Sequence, residues 1–292
     1  MSVSHPRAAV SSVQGAIRPF ASRAGADERS LVLGRLGSLE VRLAGTSGEI
    51  MHAQALRHDA FFSKRSRADT DFTGADLDAD GFDADCDHLI VAVPGSAACG
   101  RIVATCRLSR RQRAVPPAAF WSAREFDISP VLDAHAGGRV LELGRVCVHA
   151  AFRGGRAVEA LWHGIWAYCL RHRINVMLGC ASFEGTDAAR WATPLSFLHH
   201  HGLAPVEWRA RARPEHLLPM NLLPKNHIDV HAALRALPPL IKSYVRLGAK
   251  FGEGAVLDER FGTIDVFAVL RIEDICARYI RYFGAEAGRY AA

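Results

Sequence analysis

Glu142 is the one carboxylate in an otherwise apolar stretch, Val140–Leu143 (VLEL). Desolvation in such a strand favours the protonated form, which suits a group that must accept a proton near neutral pH. The structural alternative is an ion pair with Arg145 or another Arg that holds strands apart, and both readings stay open. Arg145 keeps its charge, so it serves as a partner or as a clamp for a carboxylate rather than as a proton carrier. Further along, Arg153-Gly154-Gly155-Arg156 forms a basic glycine loop ahead of a helix. Glycines let backbone amides approach a ligand closely, and a helix N-terminus adds partial positive charge. With Arg153 and Arg156 beside them, the loop can cradle a phosphate. It is no nucleotide fingerprint, since GxGxxG spacing and GxxxxGK[ST] are both missing.

Other reactive residue types carry weaker signals. Ser182 follows a strand, where a serine donates to a substrate or simply caps a turn. Cys147 and nearby His149 suggest an acylated thiol only if the strand is regular, and no orienting acid accompanies them. Asp76-x-Asp78-x-Asp80-Gly81 begins like a calcium loop, but Asp87 stands where a bidentate Glu belongs and a strand follows. A solvated acidic loop near a substrate entrance is the expectation there. His199-His200-His201 lacks metal-ligand spacing and fits the end of a helix before Gly202. No metal is expected.

The elements that must position these residues read as follows. Ser38–Leu43 alternates like a half-buried strand, and a helix with apolar Ile50, Ala53, Leu56 and Ala60 follows. His88–Val93 and Arg101–Leu108 pair as a hairpin. Val140–Leu143 and Val146–His149 read as two strand pieces interrupted at Gly144-Arg145. Arg156–Arg171 is an amphipathic helix with Leu161, Trp162, Ile165, Trp166 and Cys169 on one side. Val176–Cys180 is an apolar strand, and Asp187 is placed to cap a helix running towards His199. Helices near 229–237 and 240–247, a strand at 261–270 and a terminal helix at 273–283 complete the reading. This order gives one mixed α/β domain with a C-terminal extension. The expected division is a disordered tail over 1–30, a core over 31–205 and an extension packed on it over 206–292.

Composition excludes some classes of function. No apolar run approaches the ~20 residues of a membrane-spanning helix, and the first thirty residues hold no signal-peptide core. The seven cysteines form no CxxC pair, and an odd count argues against a disulfide framework, so a cytoplasmic protein is expected. Net charge is +6, yet residues 69–87 hold eight Asp and no Lys, Arg or Glu. The rest of the chain is therefore strongly basic, which suits an acidic protein or anionic lipid. Nucleic acid is not expected, because neither interleaved aromatics nor a recognition helix is present.

The ordered motifs resemble a known family. Glu142-Leu143-Gly144-Arg145, Cys147-Val148-His149, Leu161-Trp162-His163-Gly164-Ile165 and Gly179-Cys180-Ala181-Ser182-Phe183, followed by Gly185-Thr186-Asp187, are similar to ornithine-lipid acyltransferases of the GNAT superfamily. Cys86–Val91, Thr105–Leu108, Pro239–Ala249, Phe261 and Asp265-Val266 extend the resemblance over roughly 36–283. It implies a GNAT-like fold, a mixed and mostly antiparallel sheet flanked by helices. It implies transfer of a 3-hydroxyacyl chain from the phosphopantetheine thioester of acyl carrier protein to the α-amine of ornithine, giving lyso-ornithine lipid, with no bound cofactor.

In that reaction the phosphopantetheine would enter between parted strands near Val146–His149, with its phosphate at Arg153–Arg156. Backbone amides around Val146 and Val148 would stabilise the oxyanion, and Glu142 would take the amine's proton. Arg101, Arg107, Arg110, Arg111 and Arg113, with Arg209, Arg211 and Arg213, would offer a surface to the carrier protein or to the inner membrane, where a peripheral contact is expected. An acyl-homoserine-lactone or other N-acyl amino-acid synthase is the nearest alternative. A non-catalytic basic module on a membrane is the alternative of another class.

Overall fold

The computed structural model describes residues 32–66, 76–95, 101–112, 117–153, 156–276 and 278–280. The tail expected over 1–30, and Gly154 and Gly155 of the basic loop, lie outside the described residues. Strands are β1 (Val32–Leu36), β2 (Leu39–Leu43), β3 (Asp87–Val93), β4 (Arg101–Gln112), β5 (Phe126–Asp127), β6 (Arg139–Val148), β7 (Val176–Glu184), β8 (Arg211–Ala212), β9 (Leu217–Leu218), β10 (Lys250–Asp258) and β11 (Thr263–Arg271). Helices are α1 (Ser47–Ser66), α2 (Ser129–Ala134), α3 (Arg156–Arg171), α4 (Ala192–Gly202), α5 (Val230–Ala236) and α6 (Pro239–Leu247).

The strands form one mixed sheet in the order β1-β2-β3-β4-β6-β7-β11-β10-β8-β5, with β9 added to β10. Its long pairings are antiparallel except β6 with β7, which α3 joins as a crossover. Helix α1 packs Ile50, Ala53 and Leu56 on Ile90 and Cys147 of one face. Helix α3 packs Leu161 and Ile165 on the other face, with Val41, Leu89 and Val91. Alternation along β3 separates Ile90 from Leu89 and Val91 and so serves both helices. Gly164 explains the glycine of the Leu-Trp-His-Gly-Ile motif. A Cβ there would stand 2.2 Å from Val41 Cγ1, so a larger residue would lift α3 off the sheet.

Several expectations change. The two strand pieces at 140–143 and 146–149 are one strand, β6, carrying a bulge. Thr105 pairs with Cys147 and Arg107 with Gly144, leaving an extra residue on β6, and Arg145 adopts a positive φ of 53°. Residues beyond 205 are not an added layer: β11 pairs with β7 along nine residues and β10 continues the same sheet. Neither β1 nor the glycine-bearing β10 was anticipated. Asp187 Oδ1 accepts from Ala189 N at 3.0 Å just before a short 3-10 turn, while α4 begins at Ala192 with no side-chain cap. Asp229 does cap α5, through Ala232 N at 3.0 Å. At the C-terminal end, Ile272–Asp274 is a 3-10 turn, and residues 281–283 of the helix expected there lie outside the described residues.

Candidate active site

Strands β6 and β7 run together from Val140/Val176 to Glu142/Leu178 and then part. Their last close approach is at Gly179, where a Cβ would lie 2.3 Å from the carbonyl oxygen of Leu143. Only glycine admits that contact. Beyond it, β7 stays with β11 and β6 stays with β4, which opens a wedge between them. The wedge is a cavity of about 620 Å³. Glu142, Arg145, Val146, Arg153 and Ser182 all line it, so five of the residues singled out in the sequence meet in one place. Val148 lies further along β6, opposite Ala104.

Glu142 is buried, and donors other than Arg145 hold it. Its Oε1 accepts from Ser122 N at 2.8 Å and Ser122 Oγ at 2.7 Å, and its Oε2 accepts from Trp121 N at 2.9 Å. These bonds fix the turn Trp121–Arg124 against the strand. Trp121 and Ser122, which carry no sequence signal of their own, also line the cavity.

Arg145 sits between aromatic faces, with its guanidinium carbon 4.3 Å from the Trp121 ring centre and 4.8 Å from that of Phe261. Its Nε donates to Asp78 at 3.0 Å and its Nη2 to Asp80 at 3.2 Å. The bulge and the positive φ at Arg145 thus deliver this side chain to the cavity wall. They are local strain where β6 leaves its partner.

In the described part of the acidic stretch Asp76 and Asp85 are exposed, as a solvated loop would have them, but Asp78, Asp80 and Asp83 are drawn inward onto guanidinium groups. Arg57 of α1 donates to Asp78 Oδ2 and Asp83 Oδ1, both at 2.9 Å, and also to the backbone carbonyl of Asp78. Arg107 donates to Asp80 at 2.6 Å and Asp83 at 3.2 Å. Three guanidinium groups and three carboxylates therefore neutralise one another, which works against the calcium reading in this cluster. Arg107 is 3% exposed and cannot serve as a docking residue. The second basic strip stays partly exposed at Arg211. Arg209 and Arg211 pair with Glu253, and Arg213 Nε donates to Ala123 O at 2.9 Å.

Arg153 stands at the rim of the main cavity, its Nε 3.4 Å from Val148 O. It shares a second, smaller cavity with Arg156, Ser38 and Phe152 at the start of α3. The described ends of the basic loop therefore border a groove between the β1–β2 turn and the start of α3. Cys147 points away from the wedge into the α1 side of the core. Burial pushes its thiol up to about 12, which keeps it un-ionised at neutral pH.

Sequence spacing gave no hint of a further group. Glu125, Asp258 and Asp265 place carboxylate oxygens within 4.8 Å of one another, and Asp258 and Asp265 line the cavity. Burial, then the charges of Asp265 and Asp258, push the Glu125 carboxyl up to about 8. Burial likewise raises Asp265 to about 6, against hydrogen bonds from Ser182 and Thr263. Only Asp265 had drawn notice, as a motif residue without a role.

A profile described as the acetyltransferase (GNAT) domain matches residues 56–163. The L-ornithine N(alpha)-acyltransferase of Brucella abortus (strain 2308) is 48% identical over 267 residues, which cover 89% of this chain and 94% of that one. The enzyme of the same description from Rhizobium meliloti (strain 1021) is 45% identical over 277 residues, covering 94% and 93%. Among solved structures, FeeM, an N-acyl amino acid synthase from uncultured soil microbes, matches with a TM-score of 0.43 at 9% identity, over 80% of this chain and 91% of its own.

Proposed function

The chain belongs to the L-ornithine N(alpha)-acyltransferase family, and from that membership we propose that it moves a 3-hydroxyacyl chain from acyl carrier protein to the α-amine of L-ornithine. The product is lyso-ornithine lipid. Family membership removes the reading as a non-catalytic module. The observation that carries the proposed site is the wedge between β6 and β7, with a buried carboxylate inside and arginines at its mouth.

The thioester enters along the free edge of β6, with its phosphate beside Arg153 and Arg156 and the described end of α3. Past Glu142 that edge has no ladder partner in β7, so backbone amides around Val146 and Val148 are available to an oxyanion. Glu142 takes the proton of the attacking amine, because an ammonium has no lone pair. The new C–N bond forms as the C–S bond breaks, and the pantetheine thiol leaves with a proton. Arg145 holds the wall of the acceptor site, and Ser182 orients its far end through Asp265. No helix among the described residues is long and apolar enough to cross a membrane.

Purified protein incubated with 3-hydroxyacyl carrier protein and separate amines is expected to release carrier thiol and form acyl-ornithine, read by mass spectrometry. Transfer to another amine, with none to ornithine, would overturn the acceptor. Cys147→Ser is expected to retain transfer, since the thiol faces the core. Loss of thiol release in a folded Cys147→Ser protein would restore an acyl-enzyme route.

A further inference from the structure

Ornithine carries two nitrogens, and only one of them is acylated. We propose that Glu125, Asp258 and Asp265 form the pocket that holds the δ-ammonium of the acceptor, and so select both the diamino acid and the nitrogen that reacts. The proposal rests on the ornithine reading above and adds residues to it.

The three carboxylates come from separate elements: Glu125 from the turn before β5, Asp258 from the end of β10, and Asp265 from β11 opposite Ser182. Their oxygens converge beside the cavity, whose wall Asp258 and Asp265 line, and among the described residues none of the three forms an ion pair with Lys, Arg or His. This contrasts with Asp78, Asp80 and Asp83 in the neighbouring cluster, each matched to a guanidinium. Asp265 is 8% exposed, and Glu125 Oε2 is sealed from solvent with no hydrogen-bond partner. A buried carboxylate oxygen without a donor is costly, and three carboxylates at this spacing repel one another. The raised proton affinities of Glu125 and Asp265 express the same deficit of positive charge.

The missing charge has the shape of an ammonium. It is compact and carries three donors, one for each carboxylate. A primary alkyl ammonium remains protonated near neutral pH, and the carboxylates strengthen that preference. The bound δ-nitrogen therefore has no lone pair and cannot attack the thioester. The α-nitrogen, held on the Glu142 side of the same cavity, is the one that can lose its proton.

The test compares L-ornithine with L-norvaline, which has the same carbon chain without the δ-nitrogen, in the parent enzyme, Asp258→Asn and Glu125→Gln. Asparagine at 258 can still accept from Phe261 N, so the β10–β11 turn persists. The parent should prefer ornithine strongly in kcat/KM. Each variant should raise KM for ornithine about tenfold or more, with a smaller change in kcat, and should narrow the ornithine-to-norvaline ratio. Because the ratio compares two substrates on one preparation, a poorly folded variant does not move it. A parent preference that survives both substitutions overturns the proposal alone. Activity lost to EDTA and restored by a divalent cation also overturns it, by making the cluster a metal site. A parent enzyme that does not use ornithine, or uses both amino acids equally, removes the acceptor reading and this proposal with it.

Discussion

Arg57→Ala is expected to destabilise the protein by about 3–5 kcal/mol, the usual effect of removing one partner from a buried ion pair. For a chain of this size that lowers the melting temperature by on the order of 10 °C. Arg57 is 1% exposed and holds Asp78 and Asp83 together, and neither aspartate can reach water when it is gone. Thermal unfolding followed by circular dichroism measures the shift. A fall of under about 1 kcal/mol, the range of an exposed pair, would show that the cluster is solvated after all.

The pH dependence gives a second readout of the same variant. Burial pushes the Asp83 carboxyl up, but the hydrogen bond and charge of Arg57, with Arg107 and His88, bring it well below the usual carboxylate range. A carboxyl depressed by folding stabilises the protein above its unfolded pKa and loses that contribution as pH falls through the folded value. In the parent this loss begins near the unfolded value, at about pH 5, and is complete only in strong acid. Without Arg57 the burial remains and the main opposing partner is gone, so acid unfolding should begin at higher pH. Arg145 leans on Asp78 and Asp80 of the same cluster, so activity should fall before unfolding is complete.

How much of this was legible in the sequence depended on distance along the chain. The β6–α3–β7 unit was readable because its strand, basic loop and amphipathic helix are contiguous, and Glu142, Arg145 and Arg153 fall inside it. The bulge was not readable, because a positive φ on an arginine has no signature in residue type. The acidic stretch was misread for a related reason. A dense run of Asp suggests solvent when its counter-ions are unknown, and here they stand on α1, β4 and β6. Glu125, Asp258 and Asp265 share no segment, and only the insertion of β11 between β7 and β10 unites them. Glu142 was noticed for its apolar neighbours, whereas the donors that hold it lie about twenty residues upstream.

Those donors make the role of Glu142 testable. If it is the base, Glu142→Gln should lower kcat by about 10²–10⁴-fold. Glutamine keeps an oxygen for Ser122 but turns an amide NH2 towards Trp121 N, so some loosening of that turn is expected in any case. Ser122→Ala separates the two effects. It removes a hydrogen bond to Oε1 and leaves the carboxylate, its charge and the bond from Trp121 in place. A brace predicts comparable losses from both variants, because each weakens the same turn. A base predicts that Ser122→Ala retains most of its turnover while Glu142→Gln loses it. The separation is expected because three donors do not saturate this carboxylate. Oε1 accepts two hydrogen bonds and Oε2 only one, which leaves a lone pair on the oxygen of a residue that lines the cavity. A Glu142→Gln enzyme within tenfold of the parent would leave Glu142 only the task of holding Trp121 and Ser122, and the proton would have to leave by another route.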